Sequence, residues 1–243
     1  MIRVQNIQKY FDGHAVVNGL SFCARDGAIT GLLGANGAGK TTTLRIICGV
    51  LTPESGSVIV DDIGEDPDRR GRRRRLGALL DHSGLYARLT VRENLVYFGR
   101  LHGMPRELLE DRVNQVISVL GLNPIADRRA AGLSQGQHMK AALGRAMLHA
   151  PQNLILDEPT NALDVPTVRS LRDVLRELRN RGICILYSSH VLEEVRALCD
   201  RIVIISEGRL VAEGSPAEVC ARMETLSLEE AFIKMTQTEA ASC

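Results

Sequence analysis

The segment from Gly34 to Thr41 constrains the fold of this chain more than any other part of the sequence. It reads Gly-Ala-Asn-Gly-Ala-Gly-Lys-Thr and matches the pattern G-x-x-x-x-G-K-[ST] in full. Its glycines allow the backbone to wrap a triphosphate with N–H groups pointing inward, and the N-terminus of a following helix adds positive potential. An apolar strand at 29–33 precedes the segment, and a helix from about Lys40 follows it. The sequence therefore predicts a phosphate-binding loop between a strand and a helix, in preference to a glycine-rich turn.

Two further acids suit the same chemistry. We expect Lys40 to reach the β- and γ-phosphates and the Thr41 hydroxyl to ligate Mg²⁺. The apolar run Leu154-Ile155-Leu156 ends in Asp157 and Glu158. An Asp at this position holds Mg²⁺ through water, and Glu158 would polarise the attacking water as a general base. Acids also follow parallel strands simply because the chain leaves the core there, but the loop at Lys40 favours the functional interpretation.

Composition excludes several classes of protein. The chain has 243 residues, 44% hydrophobic and 24% charged, which suits one large α/β domain with a buried core. Lys and Arg number 30 against 29 Asp and Glu, so net charge gives no reason to expect a nucleic-acid partner. The six cysteines form no C-x-x-C pair, which argues against a zinc site. No apolar run reaches the roughly 20 residues that span a bilayer, and no signal peptide is visible. We expect any membrane role to depend on a separate spanning subunit.

The order of elements predicts an α/β fold with distinct parts. Short alternating strands fill the beginning of the chain, amphipathic helices without strands follow, and apolar strands alternate with helices after Pro151. Fully apolar strands of this kind imply a mostly parallel sheet covered on both faces. We expect one domain over 1–217, with an antiparallel β subdomain and core from 1–83 and 150–217. A helical subdomain is expected at about 84–149, and a short helical tail at 218–243.

A second glycine-containing motif opens a helix. In Leu133-Ser134-Gln135-Gly136-Gln137, Ser134 and Gln137 have capping-box spacing, so a well-capped helix is one interpretation. Gly136 lowers helix propensity, which makes sense if another surface must approach the backbone. A helix N-terminus capped by Ser is also suited to a γ-phosphate.

Taken in order, these motifs resemble those of ABC ATPases, and the resemblance runs from Ile2 to about Ala217. The motifs are Gly34–Thr41, Leu133–Gln137, Leu156–Glu158, the stretch Asn161-Ala162-Leu163-Asp164, and His190. The resemblance implies a P-loop NTPase (RecA-like) core and a head-to-tail dimer with two ATP molecules, each with Mg²⁺, sandwiched at the interface.

The resemblance also assigns roles to individual residues. Lys40, Glu158 and His190 would be catalytic, with His190 holding the γ-phosphate and the attacking water; a plain polar residue at a strand end is the alternative for His190. Tyr10 resembles the aromatic residue that stacks on adenine, with Phe11 as the competing choice and a core role as a further alternative for either. Asp164 would link the two sites across the dimer. The implied nucleotide-contacting residues are Tyr10, Gly34, Asn36, Gly37, Ala38, Gly39, Lys40, Thr41, Thr42, Ser134, Gly136, Gln137 and Asp164.

Two positions depart from the family pattern. Gln135 stands where the family usually has Gly. Asp81, after the run Leu76-Gly77-Ala78-Leu79-Leu80, stands where the family usually has a Gln that contacts Mg²⁺ and the lytic water. An Asp can still bind Mg²⁺ through water, so the expected metal-binding residues are Thr41, Asp157 and Asp81. A simple strand-end acid is the alternative for Asp81.

The stretch 81–90 and the tail segment 227–233 resemble the drug, polysaccharide and sodium-extrusion exporters, with Nat-type sodium-export ATPases the most similar. This implies an ATP-hydrolysing subunit that pairs as a homodimer or heterodimer with a multi-spanning membrane permease at the cytoplasmic face of the inner membrane. Closure of the two ATPase copies on ATP would be transmitted to the permease through the segment 82–110. The cargo would be sodium ions or a drug-like substrate.

Two alternatives stay open. A soluble ABC ATPase that acts on ribosomes or DNA is disfavoured by the single motif set and the lack of heptads. A non-hydrolysing scaffold is disfavoured by Glu158 and His190. The arginine run at 69–75 lacks base-stacking aromatics, which make up 3% of the chain. We interpret the run as a solvated helix face or a contact with lipid or the membrane partner.

Overall fold

The computed structural model of the chain describes residues 1–62, 70–80 and 84–240. Within them the strands form two sheets. A three-stranded antiparallel sheet has the order β2-β1-β4. Its strands are β1 (Ile2–Phe11), β2 (His14–Ala24) and β4 (Ser55–Val60). The antiparallel β sheet expected at the beginning of the chain is therefore present.

The larger sheet contains the remaining strands in the order β5-β6-β7-β3-β8-β9. The strands are β3 (Ile29–Leu33), β5 (Leu76–Leu79), β6 (Asn153–Asp157), β7 (Cys184–Ser189), β8 (Arg201–Ser206) and β9 (Arg209–Gly214). All neighbouring pairs are parallel except β8 and β9. The mostly parallel sheet predicted from the apolar strands is confirmed.

The antiparallel edge strand β9 was not anticipated from the sequence. It follows β8 through a turn at Glu207 and Gly208, whose φ angles of 47° and 75° are both positive. Positive φ at both central residues is the requirement of a type I′ hairpin, which reverses the chain within two residues. The strand itself mixes charged and apolar residues and lies at the sheet edge, so its sequence lacks the continuous apolar run of the central strands.

Alternation along the central strands divides the core into two apolar clusters, one on each face of the sheet. In β7, Ile185 and Tyr187 belong to one cluster, whereas Cys184 and Leu186 belong to the other. Successive side chains of a strand point to opposite faces, so each face must be covered. The cluster with Tyr187 also contains residues of the helices after β5, and the cluster with Leu186 contains the first helix and the three-stranded sheet.

The helices are placed between the strands. They are α1 (Lys40–Ile47), α2 (Arg70–Arg75), α3 (Val91–Leu101), α4 (Arg106–Val119), α5 (Gln135–Met147), α6 (Val165–Asn180), α7 (Leu192–Leu198), α8 (Pro216–Arg222) and α9 (Leu228–Ala240). A capping box at Thr90 opens α3, and Pro166 lies in the first turn of α6. α3, α4 and α5 pack on one another, and α5 also packs on β5. Within the described part of the chain, no helix combines the length and apolar character needed to cross a bilayer.

Three arginines of the run at 69–75 make polar contacts from α2. The Arg73 guanidinium donates to the Gly49 carbonyl oxygen at 2.9 Å, and Arg72 donates to that of Val58 at 3.4 Å. Arg75 lies 3.7 Å from the Asp61 carboxylate. The described part of the run, residues 70–75, is therefore helical, and part of its charge is directed at the chain's own backbone.

Candidate active site

The phosphate-binding loop leaves β3 and enters α1 under tight steric constraint. A Cβ atom on Gly34 would lie 2.5 Å from the Ile205 carbonyl oxygen, and one on Gly39 would lie 2.5 Å from that of Val16. Gly39 also has a φ of 98°. Glycine is thus required at both ends of the loop, because the backbones of β8 and β2 press against it. Ala38 is buried, whereas Asn36 and Gly37 form the exposed tip.

Lys40 begins α1 and directs its ammonium group back into the loop. Its side chain is 5% exposed, and Nζ donates to the carbonyl oxygens of Gly34 at 2.7 Å and Ala35 at 3.1 Å. Burial lowers the pKa of Lys40, while the nearby carboxylates of Glu158 and Asp157 act in the opposite direction. A desolvated cation at the mouth of an N–H-lined loop is well suited to bind a phosphate oxygen.

The Thr41 hydroxyl and the Asp157 carboxylate lie side by side. Thr41 Oγ1 donates to Asp157 Oδ2 at 2.8 Å. A hydroxyl and one carboxylate fit a Mg²⁺ ion, which binds few protein oxygens and takes its other ligands from water and phosphates. No group of three or more His, Cys, Asp or Glu side chains converges as a metal cage in residues 1–62, 70–80 and 84–240, which is in keeping with such an open site. Asp81, the third expected metal-binding residue, lies outside the described residues.

Glu158 stands between a cation and an imidazole. Its Oε1 lies 3.7 Å from Lys40 Nζ, and its Oε2 lies 3.1 Å from His190 Nδ1. The Glu158 backbone has a φ of 46°, a conformation that non-glycine residues seldom adopt and that is often found at functional turns. His190 directly follows β7 and is 44% exposed. The structure therefore brings together the three residues expected to be catalytic.

One residue of this site was missed in the sequence. Ser188, the fifth residue of β7, is fully buried. Its Oγ donates to Asp157 Oδ1 at 2.5 Å and accepts from the Glu158 backbone N–H at 3.0 Å. Ser188 thus orients both acids at once. A signal was present, since the apolar run of β7 turns polar at Ser188 and Ser189, directly before His190.

The other expected residues form a second group at the starts of α5 and α6. Ser134 Oγ accepts from the Gln137 N–H at 3.3 Å, and the Gln137 side chain accepts from the Ser134 N–H at 3.0 Å. A Cβ on Gly136 would lie 2.9 Å from Thr167 Cγ2, so the surface that approaches Gly136 is the chain's own α6. Asp164 caps α6 by accepting from the Thr167 N–H at 3.1 Å. Hydrogen bonding from the Thr167 side chain, and then from its backbone N–H, lowers the pKa of Asp164.

The aromatic candidates lie at the tip of the β1–β2 hairpin. Tyr10 is 40% exposed and Phe11 44% exposed, so the alternative of a core role is wrong for both. The Lys9 ammonium sits 5.5 Å from the centroid of the Phe11 ring and 2.8 Å from Glu54. One face of Phe11 thus already carries a cation, which favours Tyr10 for stacking. Thr42 lies half-buried in the first turn of α1.

Together, the strand–loop–helix cradle, the Thr41–Asp157 pair and the Glu158 carboxylate at the carboxyl end of a parallel sheet define a P-loop nucleoside triphosphatase. The family model described as ABC transporter matches residues 17–161. This chain therefore belongs to the ABC transporter family, as an ATP-binding subunit with ATPase activity.

Curated relatives and a solved structure agree. The ABC transporter ATP-binding protein NatA of Bacillus subtilis is 38% identical over 200 residues, covering 82% of this chain and 81% of NatA. The Nod factor export ATP-binding protein I of Burkholderia lata is 41% identical over 217 residues, covering 88% of this chain and 71% of that protein. The dimeric, post-hydrolysis structure of the ATP-binding cassette MJ0796 with ADP and Pi is 25% identical. It has a TM-score of 0.79 over 88% of this chain and 98% of that one. The expected fold class and the resemblance to the exporter branch are confirmed.

Proposed function

We propose that this chain hydrolyses ATP as one half of a dimer and thereby drives export through a separate membrane subunit. One observation supports the catalytic part most directly. Lys40, the Thr41–Asp157 pair and the Glu158–His190 pair meet where β3, β6 and β7 end, and these three strands are consecutive in the sheet. A triphosphate cradled by the loop would present its terminal phosphoryl group to these side chains.

The residues divide the work of phosphoryl transfer. Lys40 exchanges its carbonyl partners for a phosphate oxygen and offsets the charge that builds on the γ-phosphate. Thr41 and Asp157 would hold a Mg²⁺ ion, which neutralises phosphate charge when bound. Glu158 orients and polarises the attacking water. His190, whose Nδ1 lies 3.1 Å from Glu158 Oε2, holds the Glu158 carboxylate in position. Ser188 keeps Asp157 and Glu158 in register.

We assign Ser134, Gly136 and Asp164 to the site of the opposing copy. Ser134 and Asp164 make their capping hydrogen bonds within α5 and α6 respectively. Gly136 of α5 packs against Thr167 of α6. The N-terminus of α5, capped by Ser134, carries a partial positive charge that favours a phosphate. Support comes from the structure of MJ0796, which is a dimer with bound ADP and Pi. Each pocket would then be closed only when two copies meet.

The membrane partner would dock on the helical segment near 82–110. Tyr86, Tyr97, Leu101 and Leu108 are exposed there, Leu101 at 64%, although large apolar side chains usually avoid water. The Nod factor export protein and a relative named for linearmycin resistance support a role in export. We propose a cargo of sodium ions or a drug-like molecule, and a location at the cytoplasmic face of the inner membrane. The alternative of an ATPase that acts on ribosomes or DNA gains no support from these relatives.

Replacement of the general base tests the proposal. Glu158→Gln removes the charge that polarises water but keeps the side-chain shape, so turnover should fall by at least about 100-fold. ATP binding should persist, and Mg²⁺-ATP should hold the variant as a dimer in size-exclusion chromatography with light scattering. Glu193→Gln, an exposed acid on α7, is the matched control and should behave as the unaltered protein. Normal turnover by Glu158→Gln would exclude the general-base role.

A further inference from the structure

A carboxylate behind the active site accepts hydrogen bonds from hydroxyl groups of two separate segments, the loop after β6 and the end of β7. Glu194 Oε2 accepts from Thr160 Oγ1 at 2.5 Å and from the Tyr187 hydroxyl at 2.9 Å. Ser189 Oγ lies a longer 3.5 Å from the same oxygen. The side chains of Tyr187, Thr160 and Ser189 are 0%, 8% and 2% exposed. The cluster is therefore internal to the protein and is separate from the phosphate-binding loop.

The donors flank the two residues that face each other across the active site. Thr160 follows Glu158 by two residues, in the loop that leaves β6. Ser189 is the last residue of β7 and directly precedes His190, and its Oγ also accepts from the Val191 N–H at 3.0 Å. Glu194 itself belongs to the first turn of α7. One carboxylate oxygen thus joins the loop that carries Glu158 to the end of β7, which directly precedes His190.

Burial makes this junction costly to break. Buried hydroxyls lose free energy unless they are hydrogen-bonded, and without Glu194 the hydroxyls of Thr160 and Tyr187 would have mainly each other, at 3.1 Å. Burial also raises the pKa of Tyr187, so its phenol stays protonated and continues to donate. The loop that carries Glu158 and the end of β7 next to His190 are then held by the same acceptor, Glu194.

We propose that Glu194 is a positioning residue for ATP hydrolysis, which sets the separation of Glu158 and His190 by anchoring the loop after β6 and the end of β7. This inference rests on the roles proposed for Glu158 and His190. It concerns the alignment of the attacking water and not the capture of the nucleotide, because none of the cluster's hydrogen bonds involves the loop at 34–41. Small displacements of aligned groups are expensive in rate, and about 1 Å can cost 100-fold.

Steady-state kinetics of matched variants test the proposal. We expect Glu194→Ala to lower kcat by about 10- to 100-fold while the KM for ATP stays within about 2-fold. Glu194→Gln keeps one carbonyl acceptor and should recover part of the loss. Tyr187→Phe removes a single donor and should cause a smaller loss in kcat. Glu193→Ala, on the exposed side of the same helical turn, should match the unaltered protein.

The outcomes separate this inference from a merely structural role and from the proposed function. Equal kcat in Glu194→Ala and Glu193→Ala would overturn it, and so would a parallel loss of ATP affinity and kcat with no recovery in Glu194→Gln. If Glu194→Ala fails to fold, Glu194→Gln and Tyr187→Phe decide by the same criterion of kcat against KM. If Glu158→Gln abolishes turnover while these variants remain normal, the proposed function stands and this inference alone fails.

Discussion

Lys40 carries a charge that the loop has largely removed from water. Its hydrogen-bond acceptors are two carbonyl oxygens of the same loop, and burial lowers its pKa. A group whose charged form is disfavoured by folding contributes little to stability as a cation, but it is available to an incoming phosphate. The function and the stability of this position should therefore separate on mutation.

We expect Lys40→Met to weaken ATP binding by at least about 10- to 100-fold, because a charge-assisted hydrogen bond is worth about 1.5–3 kcal/mol. Its melting temperature should be unchanged or slightly higher. Isothermal titration with Mg²⁺-ATP and thermal denaturation measure the two effects. Arg45→Met, in the last turn of the same helix, is the control and should retain affinity. Binding as tight as that of the unaltered protein would contradict the role of Lys40.

At the residue scale, the sequence was informative where a pattern rule applies. The meeting of Lys40, Asp157 and Glu158 follows because the carboxyl ends of parallel strands share one edge of the sheet. Ser188 and Glu194 could not be predicted in this way. Their roles depend on β7 lying next to β6 with Asp157 opposite Ser188, a pairing between segments about 30 residues apart in the chain.

At the scale of elements, the capping box is the local motif that recurs at the starts of several helices. Capping boxes open α3, α5 and α8, with Thr90, Ser134 and Ser215 as the capping residues. The spacing of Ser134 and Gln137 predicted the capping box of α5 correctly. Strand β9 was not predicted because its sequence mixes charged and apolar residues. Its position at the sheet edge also depends on a turn with positive φ at Glu207 and Gly208, and the dipeptide Glu-Gly is a weak turn signal.

Ser134 and Ser215 allow capping to be separated from catalysis. Replacement of either by Ala should lower the free energy of unfolding by about 1 kcal/mol, since each removes one helix cap. Only Ser134→Ala should also lower turnover, by about 10-fold or more, because its hydroxyl is proposed to donate to the γ-phosphate in the partner copy. Chemical denaturation and ATPase rates measure both effects. Equal turnover in the two variants would show that Ser134 only caps α5 and has no role in catalysis.

At the scale of the whole molecule, strand order determines what one copy can complete alone. The order β6-β7-β3 brings Lys40 and Glu158 together at the carboxyl edge of the sheet. Ser134 and Asp164 lie at the starts of α5 and α6, which pack on each other. This order could not be read from the sequence, because it is set by pairing between distant strands. If the two groups serve one pocket, they must come from two copies in a head-to-tail pair.

Complementation between two inactive variants tests that arrangement. Lys40→Met disables the cradle, and Ser134→Glu places a negative charge where the opposing phosphate would lie. A mixed dimer joins the intact cradle of the second variant to the intact Ser134 of the first. Mixing equal amounts should therefore restore about a quarter of the unaltered rate, because half of randomly formed dimers are mixed and each has one complete pocket of two. Alone, each variant should be inactive. An equimolar mixture no more active than its separate components would show that Lys40 and Ser134 do not belong to one shared pocket.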